Sequence, residues 1–286
     1  MSNLSELPVQ VYTADSQMRS PRRLLGAMLG DLISSRELAW RLFVRDLSAQ
    51  YRQSLFGVVW AFVPPIVTSV IFVFLQARNI INFGETNIPY PVYVLVSVLL
   101  WQVFTESLNG PLKSVTAAKP LLVKINFPRE ALIVSSFYMV VFNLLIKALI
   151  LGVIFVVFRI PLTWGLVLAV IPVFMLIFLG FGVGLFITPL GVLYNDVATS
   201  LPVITQLFFF VTPVVYPPPQ TFPLSLIVIL NPVSPLLIAA RDWITTGQIN
   251  NLPAMLIISG FSLILLFVAW IIYRIALPII IERISA

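Results

Sequence analysis

The chain has 286 residues, of which 59% are hydrophobic and 10% charged, with a formal net charge of +6. Soluble domains carry about 25% charged residues, so this composition excludes a soluble globular protein and indicates an all-α integral membrane protein. Neither cysteine nor histidine occurs, which excludes disulfides, thiolate or imidazole metal sites, and nucleophiles activated by histidine.

The first part of the chain is polar and basic. We interpret residues 1–33 as a cytoplasmic lead-in and residues 34–55 as an amphipathic helix that lies on the membrane surface. Apolar side chains recur along this helix at spacings of three and four, at Trp40, Val44, Leu47, Tyr51 and Leu55. A neighbouring stripe is cationic and consists of Arg41, Arg45 and Arg52. Such a helix either anchors the protein or belts the mouth of a transport pathway.

Residues 56–286 contain apolar runs that predict a transmembrane domain. A helix needs about 20 apolar residues to cross a bilayer. We predict six crossings, at about 56–77, 92–112, 132–158, 164–189, 201–216 and 253–273. Pro64 and Pro65 should bend the entry to the first span. A compact basic loop is predicted between the second and third spans.

Prolines interrupt the chain between the fifth and sixth spans. Five of the residues from 213 to 223 are prolines, and the apolar stretch that follows is broken by Asn231–Pro232 and Pro235. Neither half of that stretch can cross about 30 Å of hydrocarbon as a straight helix. Because broken helices at membrane depth are tolerated when they are buried or line a cavity, we predict re-entrant half-helices at about 217–250.

The distribution of cations predicts the orientation. Thirteen lysines and arginines fall in the lead-in, the surface helix, the loop between the second and third spans, and the C-terminal tail. Three fall on the opposite side, Arg78, Arg159 and Arg241. Since cytoplasmic segments are enriched in lysine and arginine, we expect both termini in the cytoplasm. Snorkelling to the interface explains the three outer arginines.

Two sets of residues stand out within the spans. Gly180, Gly182 and Gly184 provide the fourth span with small residues for close helix contact. Glu106 and Lys147 are the ionisable residues deepest in the membrane, where an unpaired charge costs at least about 2.5 kcal/mol. These two residues form either a structural ion pair or a polar spot in a transport pathway, and the lysine could instead snorkel.

Short motifs follow one another along the chain beyond residue 33. They are residues 43–47, 51–54, Gly57, Trp60, Pro64–Pro65, 119–121, Lys124, 127–129, Asp196, Pro213, Tyr216–Pro217, Asn231–Pro232 and Arg241. Together they resemble the ABC-2 type permeases, and more narrowly the subfamily that exports O-antigens, capsular polysaccharides and teichoic acids. At Tyr194–Asp196 the chain departs from this pattern, because an arginine is expected before the aspartate.

The resemblance implies a transporter subunit that is not itself an enzyme. Two copies of a separate nucleotide-binding ATPase would bind ATP and Mg²⁺, and this chain, a homodimer in the bacterial inner membrane, would need no cofactor. In agreement, no glycine directly precedes any of the four lysines, so the phosphate-binding loop GxxxxGK[ST] is absent.

The cytoplasmic segment around residues 119–130 is a stiff, amphipathic knob, and the resemblance makes it the coupling helix that contacts the ATPase. Together with the surface helix it supplies the expected coupling residues Lys119, Pro120, Leu121, Leu122, Lys124, Phe127, Pro128, Arg129, Glu130, Arg45, Asp46 and Arg52. The alternative is an interfacial loop whose cations only set the topology.

Aromatic side chains suit a glycan conduit, because ring faces pack against sugar C–H groups without directional hydrogen bonds. The resemblance places the first and fifth spans of two protomers beside the pathway. The channel-lining candidates are Trp60, Phe62, Phe72, Phe74, Phe208, Phe209, Phe210 and Tyr216. The alternative is that these aromatics face lipid. The expected outer gate comprises Pro217, Pro218, Asn231, Pro232 and Arg241.

The sequence therefore predicts a permease that moves a lipid-linked polysaccharide, O-antigen or a similar glycan, outward across the inner membrane. Its expected partners are a second copy of itself, the ATPase, the glycan and membrane lipids, with no nucleic acid. The alternatives are an ABC-2 exporter of a drug or lipid, an ion-coupled carrier, and a membrane enzyme of lipid metabolism. A carrier should show internal repeats, and none is evident.

Overall fold

A computed structural model describes residues 21–52, 54–81, 84, 86–125 and 127–285 of the chain. Residues 1–20, most of the predicted lead-in, lie outside this description. All regular secondary structure in the described residues is helical, as the composition predicts. The α-helices are α1 (Pro21–Ser34), α2 (Arg36–Tyr51), α3 (Val63–Ala77), α4 (Tyr90–Lys124), α5 (Glu130–Phe158), α6 (Gly165–Leu168), α7 (Val170–Leu193), α8 (Asn195–Val211), α9 (Leu224–Leu230), α10 (Val233–Thr245) and α11 (Leu252–Ser285).

Five helical stretches of the described residues are long and apolar enough to cross a membrane. They are Gly57–Ala77, Tyr90–Leu122, Glu130–Phe158, Gly165–Leu193 and Leu252–Arg283. The predicted fifth span is α8, whose 17 residues make a helix about 25 Å long. α9 and α10 form a further apolar unit that is bent by 90°. The multi-pass, all-helical fold is confirmed, and the chain is bent between α9 and α10, before the last span, where its prolines predicted a break.

The predicted basic loop after residue 112 is wrong in its secondary structure. α4 continues as a helix to Lys124, and α5 begins at Glu130. The extension is helical because Leu112, Val115 and Ala118 prolong the buried face of α4 at a spacing of three residues. Only residues 125–129 separate the two helices, and we call them the proximal turn. The end of the bundle that contains this turn is the proximal end, and the end that contains α9 and α10 is the distal end.

The entry to the first span changes from a 3-10 helix to an α-helix just before the prolines. The 3-10 helix Gly57–Ala61 begins at Gly57, whose φ of 51° lies in the left-handed region that favours glycine. The backbone N–H of this glycine donates to Ser54 Oγ at 2.9 Å. Pro64 and Pro65 occupy the first turn of α3, where a missing N–H removes no helical hydrogen bond.

The central helix of the bundle is α7, which packs between α4 and α11. A Cβ atom built on Gly180 would lie 2.7 Å from Ser107 Cβ and 2.8 Å from the Phe104 carbonyl oxygen on α4. One built on Gly182 would lie 3.0 Å from Leu265 Cγ on α11. The predicted close helix contact is therefore confirmed, and the glycines serve two neighbouring helices rather than one.

Burial differs widely among the spans. In the most apolar window of each span, 72% of the residues of α4 are buried, against 11% in the stretch Gly57–Ala77. The first span therefore exposes much of its apolar surface, which must be covered by lipid or by another protein surface.

The predicted surface helix α2 packs on α5 mainly through residues outside the predicted stripe, and Trp40 of that stripe also contacts Tyr138 at 6.0 Å between the rings. It buries Ala39, Leu42 and Phe43, and the Phe43 ring lies 6.1 Å from that of Phe142. Trp40 is 55% exposed. α2 thus presents one apolar face to the protein and a second, less buried one to its surroundings.

Candidate functional site

The proximal turn and the helix ends beside it contain most of the predicted coupling residues. Pro120 and Lys124 are exposed, Lys119, Leu121, Leu122, Phe127, Pro128 and Arg129 are half-buried, and Glu130 is buried. Ile125, which was not among the predicted residues, is 57% exposed. The accessible part of this region is therefore the last turn of α4, with an exposed cation beside an exposed apolar side chain.

Lys119 contacts the protein itself. Its Nζ donates to the Val192 carbonyl oxygen at 2.9 Å. Val192 lies in the last turn of α7, where carbonyl groups lack helical partners and the helix dipole favours a cation. Lys119 therefore caps α7 and joins the end of α4 to it.

Glu130 belongs to a group of three charged side chains, of which Glu130 and Arg274 are buried and Asp31 is half-buried. Arg274 on α11 pairs with Glu130 through Nη1, and its Nη2 lies 2.6 Å from Asp31 Oδ2 on α1. Arg274 is 9% exposed and Glu130 4% exposed, so removal of one partner would leave a desolvated charge. This ion-pair group ties the start of α5 to α1 and α11.

The backbone of Arg129, the residue before Glu130, is also fixed to α11. The Tyr273 hydroxyl donates to the Arg129 carbonyl oxygen at 3.3 Å, and Tyr273 is fully buried. Burial lowers the pKa of the Arg129 guanidinium from its ordinary value, and the nearby Tyr273 and Glu130 oppose that shift. The C-terminal end of the proximal turn is thus fastened to α11, whereas Lys124, which directly precedes the turn, is exposed.

The predicted coupling residues of α2 have different surroundings. Arg45 Nη2 lies 2.7 Å from Asp46 Oδ1, so these two residues pair with each other. Arg52 is exposed. Their neighbour Tyr51 is half-buried, and burial together with the Glu106 carboxylate raises the pKa of its hydroxyl. The end of α2 therefore lies near the intramembrane acid.

Glu106 and Lys147 form an ion pair. Lys147 Nζ lies 2.8 Å from both carboxylate oxygens of Glu106. The lysine side chain is 8% exposed and the glutamate side chain 34% exposed. This geometry supports the structural ion pair, which was one of the alternatives predicted for these two residues. The predicted snorkelling of the lysine is wrong.

The predicted channel-lining aromatics divide into two groups. Phe209 is buried, and its ring lies 5.8 Å from Trp101 and 6.1 Å from Phe72, so in this structure it packs the core instead of lining a channel. Phe62, Phe72, Phe208 and Tyr216 are half-buried, and Trp60, Phe74 and Phe210 are exposed. The contact between Phe72 and Phe209 brings α3 and α8 together, so their exposed aromatics lie on adjoining helices.

Arg241 at the distal end is buried. It is 2% exposed, and the predicted snorkelling of this residue is therefore wrong. Its Nη1 donates to the Tyr93 hydroxyl at 2.5 Å and to the Pro213 carbonyl oxygen at 3.4 Å. Asp242 Oδ1 accepts from its Nε at 3.2 Å. The guanidinium joins α10 to α4 and to the turn after α8.

Further hydrogen bonds surround Arg241 at the distal end. The Tyr93 hydroxyl donates to the Tyr216 carbonyl oxygen at 2.8 Å, and Asn231 Nδ2 donates to Thr212 Oγ1 at 2.8 Å. Asn231 Oδ1 also accepts from the Val233 N–H at the start of α10. Of the remaining gate candidates, Pro217, Pro218 and Pro232 are half-buried. We call Tyr93, Thr212, Tyr216, Asn231 and Arg241 the distal network.

The Tyr93→Phe variant tests the distal network. It removes one hydroxyl that accepts from Arg241 and donates to Tyr216, and leaves a buried guanidinium with one partner fewer. We expect a loss of about 1–3 kcal/mol in unfolding free energy, because a buried group loses its hydrogen bond. Denaturant unfolding in detergent micelles measures this loss. Tyr194→Phe is the control, since Tyr194 is 56% exposed, and equal stability of the two variants would contradict the network.

Three of these contacts were not predicted from the sequence. Arg274 was assigned to the tail, Asp31 to the lead-in, and Tyr93 to the body of a span. The partners are 144 residues apart for Arg274 with Glu130, 243 for Arg274 with Asp31, and 148 for Arg241 with Tyr93. A charged residue within an apolar run was the only available signal, and it does not identify a partner.

The chain is similar to proteins of a known family. The family described as ABC-2 type transporter matches residues 37–244. The O-antigen export system permease protein RfbA of Myxococcus xanthus is 30% identical over 109 residues, covering 37% of this chain and 39% of that protein. Two proteins of the same name from Klebsiella pneumoniae are 26% identical over 88 residues, covering 31% of this chain and 33% of each relative. The matched stretches thus span less than two fifths of the relatives' length.

Proposed function

The chain belongs to the ABC-2 type transporter family, and we propose that it is the membrane subunit of an ATP-driven exporter of a lipid-linked polysaccharide. A separate ATPase subunit would supply the energy, because this sequence lacks the phosphate-binding loop. The proximal end, beside which most of the cations lie, would face the cytoplasm of a bacterial inner membrane.

The observation that carries this proposal is the continuity of α4. Its 35 residues make a helix about 50 Å long. The helix begins with Tyr90 and Tyr93 at the distal network and ends with Lys124 at the proximal turn. A displacement of the proximal turn by a docked ATPase would therefore reach the distal network through one helix.

A homodimer would form the pathway. The first span is the least buried of the five, and α3 and α8 expose apolar and aromatic side chains on adjoining helices. Two copies that face each other through these helices would cover surface that one copy leaves bare. Of the predicted channel-lining residues, Trp60, Phe74 and Phe210 are exposed and available to such a pathway.

The substrate class is supported by the relatives and by the chemistry of the exposed rings. The three relatives are named as O-antigen export permeases, and aromatic faces suit a sliding sugar chain. Mass spectrometry of material that copurifies with the protein distinguishes a lipid-linked glycan from a drug or a simple lipid.

Reconstitution tests the energy source. The chain and its ATPase are placed together in vesicles, and movement of a lipid-linked glycan is followed after ATP addition. We expect ATP-dependent transport only when the ATPase is present. Uphill transport by the chain without it would contradict the proposal and favour an ion-coupled carrier.

The double variant Lys124→Glu/Ile125→Asp tests the docking surface. It reverses the exposed cation and removes the exposed apolar side chain at the end of α4, without touching the contacts of Lys119 or Glu130. We expect the affinity for the ATPase to fall at least about tenfold. Arg283→Glu, another exposed residue of the proximal end, is the control, and equal affinity of both variants would exclude this surface.

A further inference from the structure

A cavity of about 360 Å³ lies between α1, α2, α5, α7 and α11. Ten of its eleven lining residues are apolar or aromatic, and the remaining one is Arg36. Val134 and Phe137 come from α5, Phe181 from α7, and Leu266 and Trp270 from α11. A wall of this composition selects a hydrocarbon guest over a polar one.

The depth of the cavity matches that of an acyl chain. Its α5 residues, 133–138, lie within about 5–12 Å of the first residue of that helix along its axis. They are therefore in the part of the span next to the proximal membrane surface. Arg36 begins α2, the surface helix, so a polar group on the same guest would lie at the interface.

The charges around the cavity favour an anion at Arg36. Arg41 lies 2.6 Å from Glu37, and Asp31 and Glu130 both pair with Arg274. Arg36 is exposed and makes no ion pair within the part of the chain that the structure describes. An unpaired guanidinium pairs well with a phosphate, which accepts two parallel hydrogen bonds from it.

Trp270 gives a second polar contact. Its indole N–H is buried and has no acceptor among the described residues, and the ring lines the cavity. Buried indole N–H groups normally find a partner. The ester carbonyl at the top of an acyl chain is an acceptor that a guest in this cavity would bring.

We propose that this cavity binds one acyl chain of an anionic phospholipid whose phosphate pairs with Arg36. The site lies among α5, α7 and α11, whereas the proposed glycan pathway follows α3 and α8. It does not depend on the transport function, and a failure of one proposal leaves the other standing.

Native mass spectrometry of the purified, delipidated full chain tests the headgroup. The chain is titrated with phosphatidylglycerol and, separately, with phosphatidylcholine. One charge at a lipid surface contributes about 1 kcal/mol, so Arg36→Gln should bind phosphatidylglycerol about fivefold more weakly. Arg41→Gln removes the same charge from a residue that is paired with Glu37. This variant should bind phosphatidylglycerol as tightly as the unaltered chain does. Equal weakening in both variants would show only a general charge effect and would overturn the proposal.

The apolar part of the site is tested separately. Val134→Phe fills the cavity and should abolish the tightly bound lipid while Arg36 is kept. A phosphatidylglycerol with a photoreactive acyl chain, applied to the unaltered chain, should label residues 133–138 and 266–270. Labelling confined to other helices would overturn the proposal. The proposal would also be overturned if the protein bound the lipid only after residues 1–20 were deleted. In that case the cavity would be occupied by the N-terminal segment of the chain itself.

Discussion

Gly184→Ala is expected to lower the unfolding free energy of the protein by about 1–3 kcal/mol, because the new methyl group has no room. A Cβ atom at this position would overlap the Leu108 carbonyl oxygen of α4 and lie 3.1 Å from the carbonyl carbon. Both are backbone atoms in the middle of a long helix, so no side chain can rotate away. α4 and α7 would have to move apart. Helix association in lipid depends on such packing, since lipid supplies no hydrophobic driving force between helices.

Thermal or denaturant unfolding in detergent measures this effect. Gly152→Ala on α5 is the matched control, because no heavy atom lies within 4 Å of a Cβ at that position. The control should be as stable as the unaltered protein or slightly more so, since alanine favours a helix more than glycine does. If both variants unfolded alike, the contact between α4 and α7 would not have the described geometry.

Lys147→Met should also destabilise the protein strongly. It leaves the Glu106 carboxylate within a membrane span, and no other described cation pairs with it. Removal of one partner from a buried pair costs about 3–5 kcal/mol. The Glu106 side chain is 34% exposed, so access to water should reduce the cost to the lower part of that range.

A double-mutant cycle isolates the pair. Glu106→Gln/Lys147→Met removes both charges and should recover most of the lost stability, giving an interaction energy of about 1–3 kcal/mol. Strictly additive effects would mean that the two charges do not interact. Transport by the double variant then separates the two functional alternatives, because a purely structural pair can be replaced by neutral residues without loss of transport.

Several features of the fold were predictable because their causes are local. A run of apolar residues identifies a span wherever it occurs, and prolines with Asn231 break a helix through their own backbone chemistry. The boundaries that were wrong have non-local causes. α4 extends to Lys124 because Ala118 is buried and Lys119 caps α7, a contact 73 residues away.

The candidate site was less predictable than the fold. Lys124 was predicted as a coupling residue and Trp60 and Phe210 as channel-lining residues, and the structure shows that all three are exposed. Phe209, in the same aromatic run as Phe210, is buried against Trp101. One step along a helix rotates a side chain by about 100°, and the face that looks inward depends on the neighbouring helix.

By itself the amino-acid sequence determined the class of the protein, the approximate position of its long apolar helices, and the break before the last span. Each follows from composition or from residues adjacent in the chain. The tertiary structure alone decided the partners of Arg241, Arg274 and Lys119. A charge in lipid must find a counter-charge or a carbonyl oxygen, and which one lies within reach depends on how distant helices pack.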